Sequence, residues 1–103
     1  MKNGYILASI CEMHEKIYLK DILSIQKTSL DRCMFFIEIN YISDFYRDDP
    51  NPVFWIKEIY DSEKKRNIRY EALKKRLNKV WKAHPEQRKI NNAILERAKE
   101  QAL

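Results

Sequence analysis

Two cysteines and two histidines are the side chains of this sequence best suited to nucleophilic or metal chemistry, and they are spread along the chain. Metal sites built from such residues use pairs at short spacing, which neither His14 nor His84 provides. Glycine-rich phosphate loops need several glycines, and the chain has one. No nucleophile stands at a recognisable spacing from a histidine and an acid. We therefore expect no enzymatic activity, no metal site and no cofactor.

The surroundings of Cys11 and Cys33 are apolar, which predicts two buried thiols in a reducing compartment rather than a disulfide. The longest apolar runs, such as residues 33–37, fall far short of the roughly 20 residues of a membrane-spanning helix. Nothing in the sequence resembles a signal peptide. We expect a cytoplasmic protein that has no membrane partner.

Charge is divided unevenly between the two parts of the chain. Residues 1–60 carry seven basic and nine acidic side chains, whereas residues 61–103 carry thirteen and six, so the net charges are −2 and +7. A strongly basic segment indicates a polyanionic partner, and a basic helix contacts phosphates without sequence preference. The alternative is a soluble helix that stabilises itself through pairs such as Glu71 and Lys75. The candidate phosphate contacts are Lys65, Arg66, Arg69, Lys75, Arg76 and Lys79.

The first sixty residues show apolar spacings that predict a winged helix-turn-helix. The predicted elements are a helix at 5–14, a short strand at 16–19, helices at 19–25 and 30–40, and a hairpin of strands at 41–47 and 53–60. The fold class expected is therefore mainly α with a small β-hairpin. Residues 33–42 fit both the helical and the strand period, so a helical bundle with one long helix at 30–47 is the competing interpretation.

The remaining residues, 61–103, are predicted to form a basic helical extension of two helices, at 62–83 and 86–102. This extension either belongs to the same compact domain as residues 1–60 or forms a dimerisation arm. Its first helix carries a narrow apolar stripe that needs one partner surface, either the body of the protein or a second copy. The stripe, our candidate dimer or partner interface, consists of Tyr70, Leu73, Leu77, Val80 and Trp81.

The third predicted helix is the candidate recognition helix, because in this arrangement it enters the major groove of DNA. Arg32 could pair with a guanine edge, and Thr28 or Ser29 could bind a phosphate. The candidate DNA contacts are Lys27, Thr28, Ser29, Arg32 and Phe35.

Several short segments of this half resemble the CaiF/GrlA-type transcriptional activators of enteric bacteria. They are Tyr5-Ile6-Leu7, Glu15-Lys16, Asp21-Ile22, Leu30 with Arg32, and Tyr41-Ile42-Ser43. The resemblance covers roughly residues 4–60 and leaves out the basic extension. It implies a small DNA-binding activator with a winged helix-turn-helix, of a kind that is in some cases restrained by a protein antagonist.

Two functional hypotheses follow. The first is a transcriptional regulator that binds double-stranded DNA as a homodimer, with the basic helix anchoring phosphates. The second is a protein-binding adaptor or antagonist on a degenerate winged-helix scaffold, which would bind a regulatory protein partner through Phe35, Phe36 and Ile39. The basic extension favours the first hypothesis, and the acidic character of residues 1–60 favours the second.

Overall fold

The computed structural model describes residues 4–10, 13–30, 32–43 and 48–101. These residues form an α+β fold of five strands and two helices. A short 3₁₀ turn at Leu19–Asp21 links the second strand to the third. The other elements are β1 (Tyr5–Ile10), β2 (Met13–Tyr18), β3 (Ile22–Leu30), β4 (Met34–Ile42), β5 (Val53–Tyr60), α1 (Glu63–Ala83) and α2 (Pro85–Gln101).

The strands pair only with their neighbours along the chain, always antiparallel. β1 and β2 form a hairpin in which Tyr5 lies opposite Tyr18. β3, β4 and β5 form a three-stranded sheet with β4 in the centre, where Phe36 pairs with Thr28 on one side and Ile59 on the other. β-branched and aromatic side chains dominate these strands, as expected for residues that pack well on a pleated surface.

The hydrophobic core lies between the two sheets and α1. Side chains alternate across a strand, so Ile37, Ile39 and Tyr41 of β4 share the inner face of the sheet. Leu73 and Leu77 of α1 are 1% and 0% exposed and belong to the same cluster. The rest of the cluster comes from the hairpin, the 3₁₀ turn and the neighbouring strands: Ile6, Ala8, Ile17, Leu19, Ile22, Ile25 and Ile56.

The two C-terminal helices and the strand before them follow the sequence-based prediction. α1 begins after Ser62, whose hydroxyl oxygen accepts a hydrogen bond from the amide of Lys65 at 3.3 Å. The helix ends at His84, and Pro85 opens α2, a position where the missing amide costs nothing. The helices predicted at 62–83 and 86–102 and the strand at 53–60 are therefore confirmed, with boundaries within one residue.

The prediction of a mainly α, winged helix-turn-helix fold is wrong. Of residues 5–14, Tyr5–Ile10 form β1 and Met13 and His14 begin β2; residues 19–25 form the 3₁₀ turn and the start of β3, and most of 30–40 belongs to β4. The long helix of the competing interpretation is absent for the same reason. Of the strand predicted at 41–47, Tyr41 and Ile42 end β4, and residues 44–47 lie outside the described residues.

The error has a physical origin in β4. Apolar side chains occupy both faces of this strand, so its pattern satisfies a period of 3.6 as well as a period of 2. Cross-strand pairing with β3 and β5 on both sides then decides in favour of a strand. No helix within the described residues is long and apolar enough to cross a membrane.

Candidate nucleic-acid interface

The residues predicted to read DNA lie on a hairpin and not on a helix. Lys27, Thr28 and Ser29 belong to β3, Arg32 lies in the following turn, and Phe35 belongs to β4. The prediction of a recognition helix is therefore wrong, and residues 27–35 cannot enter a groove in the way it required.

Two of these five side chains contact residues of α1. The ammonium of Lys27 lies 5.1 Å from the centre of the Tyr70 ring, and the guanidinium of Arg66 lies 5.5 Å from that of Phe35. Thr28 has a buried hydroxyl for which the described residues provide no partner. Ser29 and Arg32 are exposed. Tertiary contacts thus engage Lys27 and Phe35, whereas Ser29 and Arg32 remain at the surface of the hairpin.

Arg66, one of the predicted phosphate contacts, has a structural role. Its side chain is buried, and its Nη1 donates to the carbonyl oxygens of Thr28 at 2.8 Å and Phe36 at 3.3 Å. Its Nε donates to the side-chain oxygen of Asn67 at 2.8 Å. These bonds join the first turns of α1 to β3 and β4. A guanidinium held in this way is not available to a phosphate.

Arg69 is likewise occupied by a buried carboxylate. Its Nε lies 3.4 Å from Oε1 of Glu58, whose side chain is 5% exposed. The hydroxyl of Tyr60 donates to the same oxygen at 3.0 Å. Burial, followed by the charge and hydrogen bond of Glu58, raises the pKa of Tyr60 to about 12. Glu58 therefore holds a cation and a phenol together beneath α1.

Four of the remaining basic residues of α1 form an exposed row on the side of the helix opposite the core. Lys64, Lys75, Lys79 and Lys82 are exposed, and none forms an ion pair among the described residues. At 1.5 Å per residue they span about 27 Å of helix. We call these four residues the basic stripe. The exposed Glu71 is the one acidic side chain within that span of α1.

The other four predicted phosphate contacts lie on or beside the basic stripe. Lys75 and Lys79 belong to it. Lys65 is exposed, but its ammonium lies 3.7 Å from the carboxylate of Asp61. Arg76 is exposed, and its Nη2 donates to the carbonyl oxygen of Tyr5 at 3.3 Å. The structure thus brings four of the six predicted basic residues to the surface.

The apolar stripe predicted as a dimer interface is covered by the chain's own sheets. Leu73 and Leu77 are part of the core, and Tyr70, Val80 and Trp81 pack against it. These side chains are therefore not available for a second copy. The sequence left two possible partner surfaces for this stripe, the body of the protein and a second copy. In the structure the stripe packs against the body of the protein.

An apolar surface that the sequence did not reveal lies on the outer face of the β3–β4–β5 sheet. Leu30, Met34, Trp55 and Ile59 are 56%, 37%, 61% and 59% exposed. Alternation places them on the face opposite the core and α1, together with Phe36, Glu38 and Lys57. We call these seven residues the exposed sheet face. The sequence signal for this surface lies in β5, a correctly predicted strand in which apolar residues occupy both faces.

The alternative partner surface formed by Phe35, Phe36 and Ile39 is not assembled. Phe35 and Ile39 point to the inner face, where Ile39 is fully buried. Phe36 points to the outer face, with the Lys57 ammonium 5.5 Å from its ring centre. On a strand, these three residues cannot share the face that a helix would have given them.

Cysteine and histidine side chains remain separate within the described part of the chain. Cys33 is exposed, so its predicted burial is wrong, and Cys11 lies outside the described residues. Among the residues that the structure describes, no three histidine, cysteine, aspartate or glutamate side chains come together to hold a metal ion.

Comparison with known proteins adds no relative. A scan against protein-family models finds no match, and neither do comparisons with curated proteins and with solved structures. The resemblance to CaiF/GrlA-type activators thus stays a prediction, although the fold that it implied is wrong.

Proposed function

We propose that this protein binds duplex DNA through the basic stripe of α1, by contacts to phosphates and without sequence preference. The observation that carries the proposal is the row of four exposed lysines on one side of a rigid helix, with no ion pair to any described residue. Lysine ammonium groups bind phosphates as point charges, and the positive field of the helix draws a polyanion to this side of the molecule.

The way in which α1 is attached to the rest of the protein supports this function. Leu73 and Leu77 fix the helix to the core, and Arg66 bonds it to the backbone of two strands. The stripe is therefore held in position before any ligand binds, which lowers the entropy lost on binding. The predicted recognition residues lie on strands of the three-stranded sheet, where Lys27 and Phe35 already contact side chains of α1, so nothing in their placement supports groove reading. Sequence-specific activation of transcription is accordingly not part of the proposal.

The test is a comparison of two quadruple variants with the same net charge. In the stripe variant, Lys64, Lys75, Lys79 and Lys82 become Gln, which has a similar helix propensity. In the control variant, the exposed Lys16, Lys89, Arg97 and Lys99 become Gln. Each set of changes lowers the formal net charge of +5 by four. Affinity for a random-sequence duplex is measured by fluorescence anisotropy.

We expect the stripe variant to lose at least about a hundredfold in affinity near 50 mM salt and the control variant to lose only a few-fold. For the unmodified protein, log affinity against log salt should have a slope of about −4, since each neutralised phosphate contributes about −0.9. Equal losses in the two variants would show that only the overall charge matters and would contradict the proposal, as would a marked preference for one sequence.

A second candidate function, self-assembly, is favoured by the exposed sheet face. Monomers rarely expose large contiguous apolar patches unless they bind something. The face carries one cation, Lys57, directly across from one carboxylate, Glu38, so it is electrically balanced although the whole chain is basic. A face with both charges can complement itself in a twofold dimer. We therefore infer that a second copy of this chain is its occupant.

Sedimentation and light scattering test this candidate. We expect a dimer for the unmodified protein and a monomer for the double variant Trp55→Ser, Ile59→Ser. The exposed Ile68→Ser on α1 is the matched control and should leave the dimer intact. If the unmodified protein is a monomer at high micromolar concentration, self-assembly is refuted. The proposal that the protein binds DNA is unaffected by that result.

A further inference from the structure

A cavity of about 210 Å³ lies where α1, α2 and the 3₁₀ turn meet. None of its lining side chains is acidic, and two of them are permanent cations. We call it the interhelical pocket. Its lining residues are Lys20, Val80, Trp81, His84, Gln87, Arg88 and Asn91.

Arg88 is the central cation of the pocket. Its guanidinium stacks on the ring of Trp81, 3.6 Å from the ring centre, and its Nη1 donates to the carbonyl oxygen of Leu23 at 2.8 Å. Burial lowers the pKa of Arg88. Among the described residues no carboxylate forms an ion pair with it. A partly buried guanidinium without a carboxylate is an unusual arrangement, because buried charges are normally paired.

The polar side of the pocket is held in place by hydrogen bonds. Asn91, which is 1% exposed, donates from Nδ2 to the carbonyl oxygen of Lys20 at 3.2 Å. Gln87 donates from Nε2 to Oδ1 of Asn91 at 3.0 Å. Asn91, in the second turn of α2, thus bonds to the backbone of Lys20 and is itself held by Gln87 of the first turn. The lysine side chain itself is exposed and forms no ion pair with a described residue.

We propose that the interhelical pocket binds a small organic anion through a phosphate or carboxylate group. Lys20 and Arg88 supply the charge, and the pocket opens beside the N-terminal turn of α2, where the helix dipole also favours an anion. Val80 and Trp81 form an apolar wall for the carbon skeleton of the ligand. A volume of about 210 Å³ lies below the roughly 300–1,000 Å³ of pockets for drug-sized ligands, which suits a small metabolite and not a polymer.

This site is independent of the basic stripe. None of the four stripe lysines lines the pocket, and Lys20, Trp81 and Arg88 take no part in the contact proposed for DNA. Loss of duplex binding and loss of anion binding are therefore separate outcomes of separate variants.

Trp81 provides the signal for a direct test. In a Trp55→Phe background, Trp81 is the one remaining tryptophan of the chain. Its fluorescence is followed during titration with inorganic phosphate, with citrate, and with potassium chloride at matched ionic strength. We expect saturable changes with phosphate, citrate or both, accompanied by a higher melting temperature, and none with chloride. The two anions distinguish a preference for a phosphate from a preference for carboxylates.

The second part of the test reverses the charge of one residue at the pocket. Lys20→Glu should weaken binding of the preferred anion by at least about tenfold, because a contact of one charged group becomes a repulsion. Lys99→Glu makes the same change in net charge near the other end of α2 and should shift the affinity less than about twofold. Because both side chains are exposed, both variants should fold. An equal loss in the two variants, or a response to the anions no different from that to chloride, would overturn the proposal.

Discussion

At the scale of single residues, the most constrained group is the trio of Glu58, Tyr60 and Arg69 beneath α1. The carboxylate accepts from the phenol at 3.0 Å and lies 3.4 Å from the guanidinium. This arrangement is stable only while the phenol of Tyr60 keeps its proton, since a phenolate and the carboxylate of Glu58 would repel each other. The stability of the fold must therefore depend on pH in the alkaline range.

The Tyr60→Phe variant tests this dependence. The pKa of Tyr60 is about 12 in the folded protein against an ordinary value of 10.0, so the unfolded chain releases the phenolic proton first. The contribution of Tyr60 to the free energy of unfolding is then complete below pH 10 and disappears as the pH rises from 10 to 12. In urea unfolding, the difference between the unmodified protein and Tyr60→Phe should shrink over that interval; a constant difference would contradict the assigned cause.

Sequence reasoning recognised the basic residues of α1 but could not separate their roles. Arg66, Arg69 and Lys79 look alike in a list of cations. Burial separates them: Arg66 bonds to strand carbonyls, Arg69 bonds to Glu58, and Lys79 faces outwards. Those differences depend on which strand lies below each helical turn. That information exists only once the sheet register is known.

At the scale of elements, α1 could be predicted and β4 could not. The stripe of α1 has one period, and the helix is bounded by a hydroxyl residue at Ser62 and a proline at Pro85. β4 has apolar side chains on its inner face and, at Met34, Phe36 and Ile42, also on its outer face, so its apolar pattern fits a helical period as well as a strand period. The winged-helix interpretation failed at this element, and the recognition residues were misplaced with it.

The N-cap of α1 provides a testable prediction at the scale of elements. Ser62→Ala removes the oxygen that accepts from the Lys65 amide, which should lower the free energy of unfolding by about 0.5–1 kcal/mol, the low end expected for a bond of 3.3 Å. Chemical denaturation measures the loss. Ser62→Asp keeps an acceptor and favours the helix dipole, so it should restore the stability. If Ser62→Asp is as unstable as Ser62→Ala, the hydroxyl is not the cap.

At the scale of the whole molecule, one helix both completes the core and carries the candidate interface. The buried side of α1 contributes Leu73 and Leu77 to the cluster formed by the two sheets, while its opposite side carries the basic stripe. Docking of the helix is therefore required for folding and also for presentation of the lysines.

Two alanine substitutions on α1 compare how much its buried side and its exposed side contribute to the free energy of unfolding. Leu77→Ala leaves a cavity in the core and should lower the free energy of unfolding by roughly 2–5 kcal/mol, whereas Ile68→Ala at a 63% exposed position should change it by less than about 0.5 kcal/mol. Thermal unfolding at several protein concentrations measures both. A loss for Leu77→Ala that shrank on dilution, as the unmodified protein itself dissociated, would mean that the side chain acts between copies after all.

The opposite placement of the basic stripe and the exposed sheet face has a consequence for the geometry of assembly. If two copies associate through their sheet faces, their two rows of lysines point away from each other, because α1 lies on the far side of each sheet. Such a dimer could not straddle two neighbouring grooves of one duplex. It would instead cross-link separate duplexes, so an immobilised duplex should retain a free labelled one in the presence of the protein but not of the Trp55→Ser, Ile59→Ser variant.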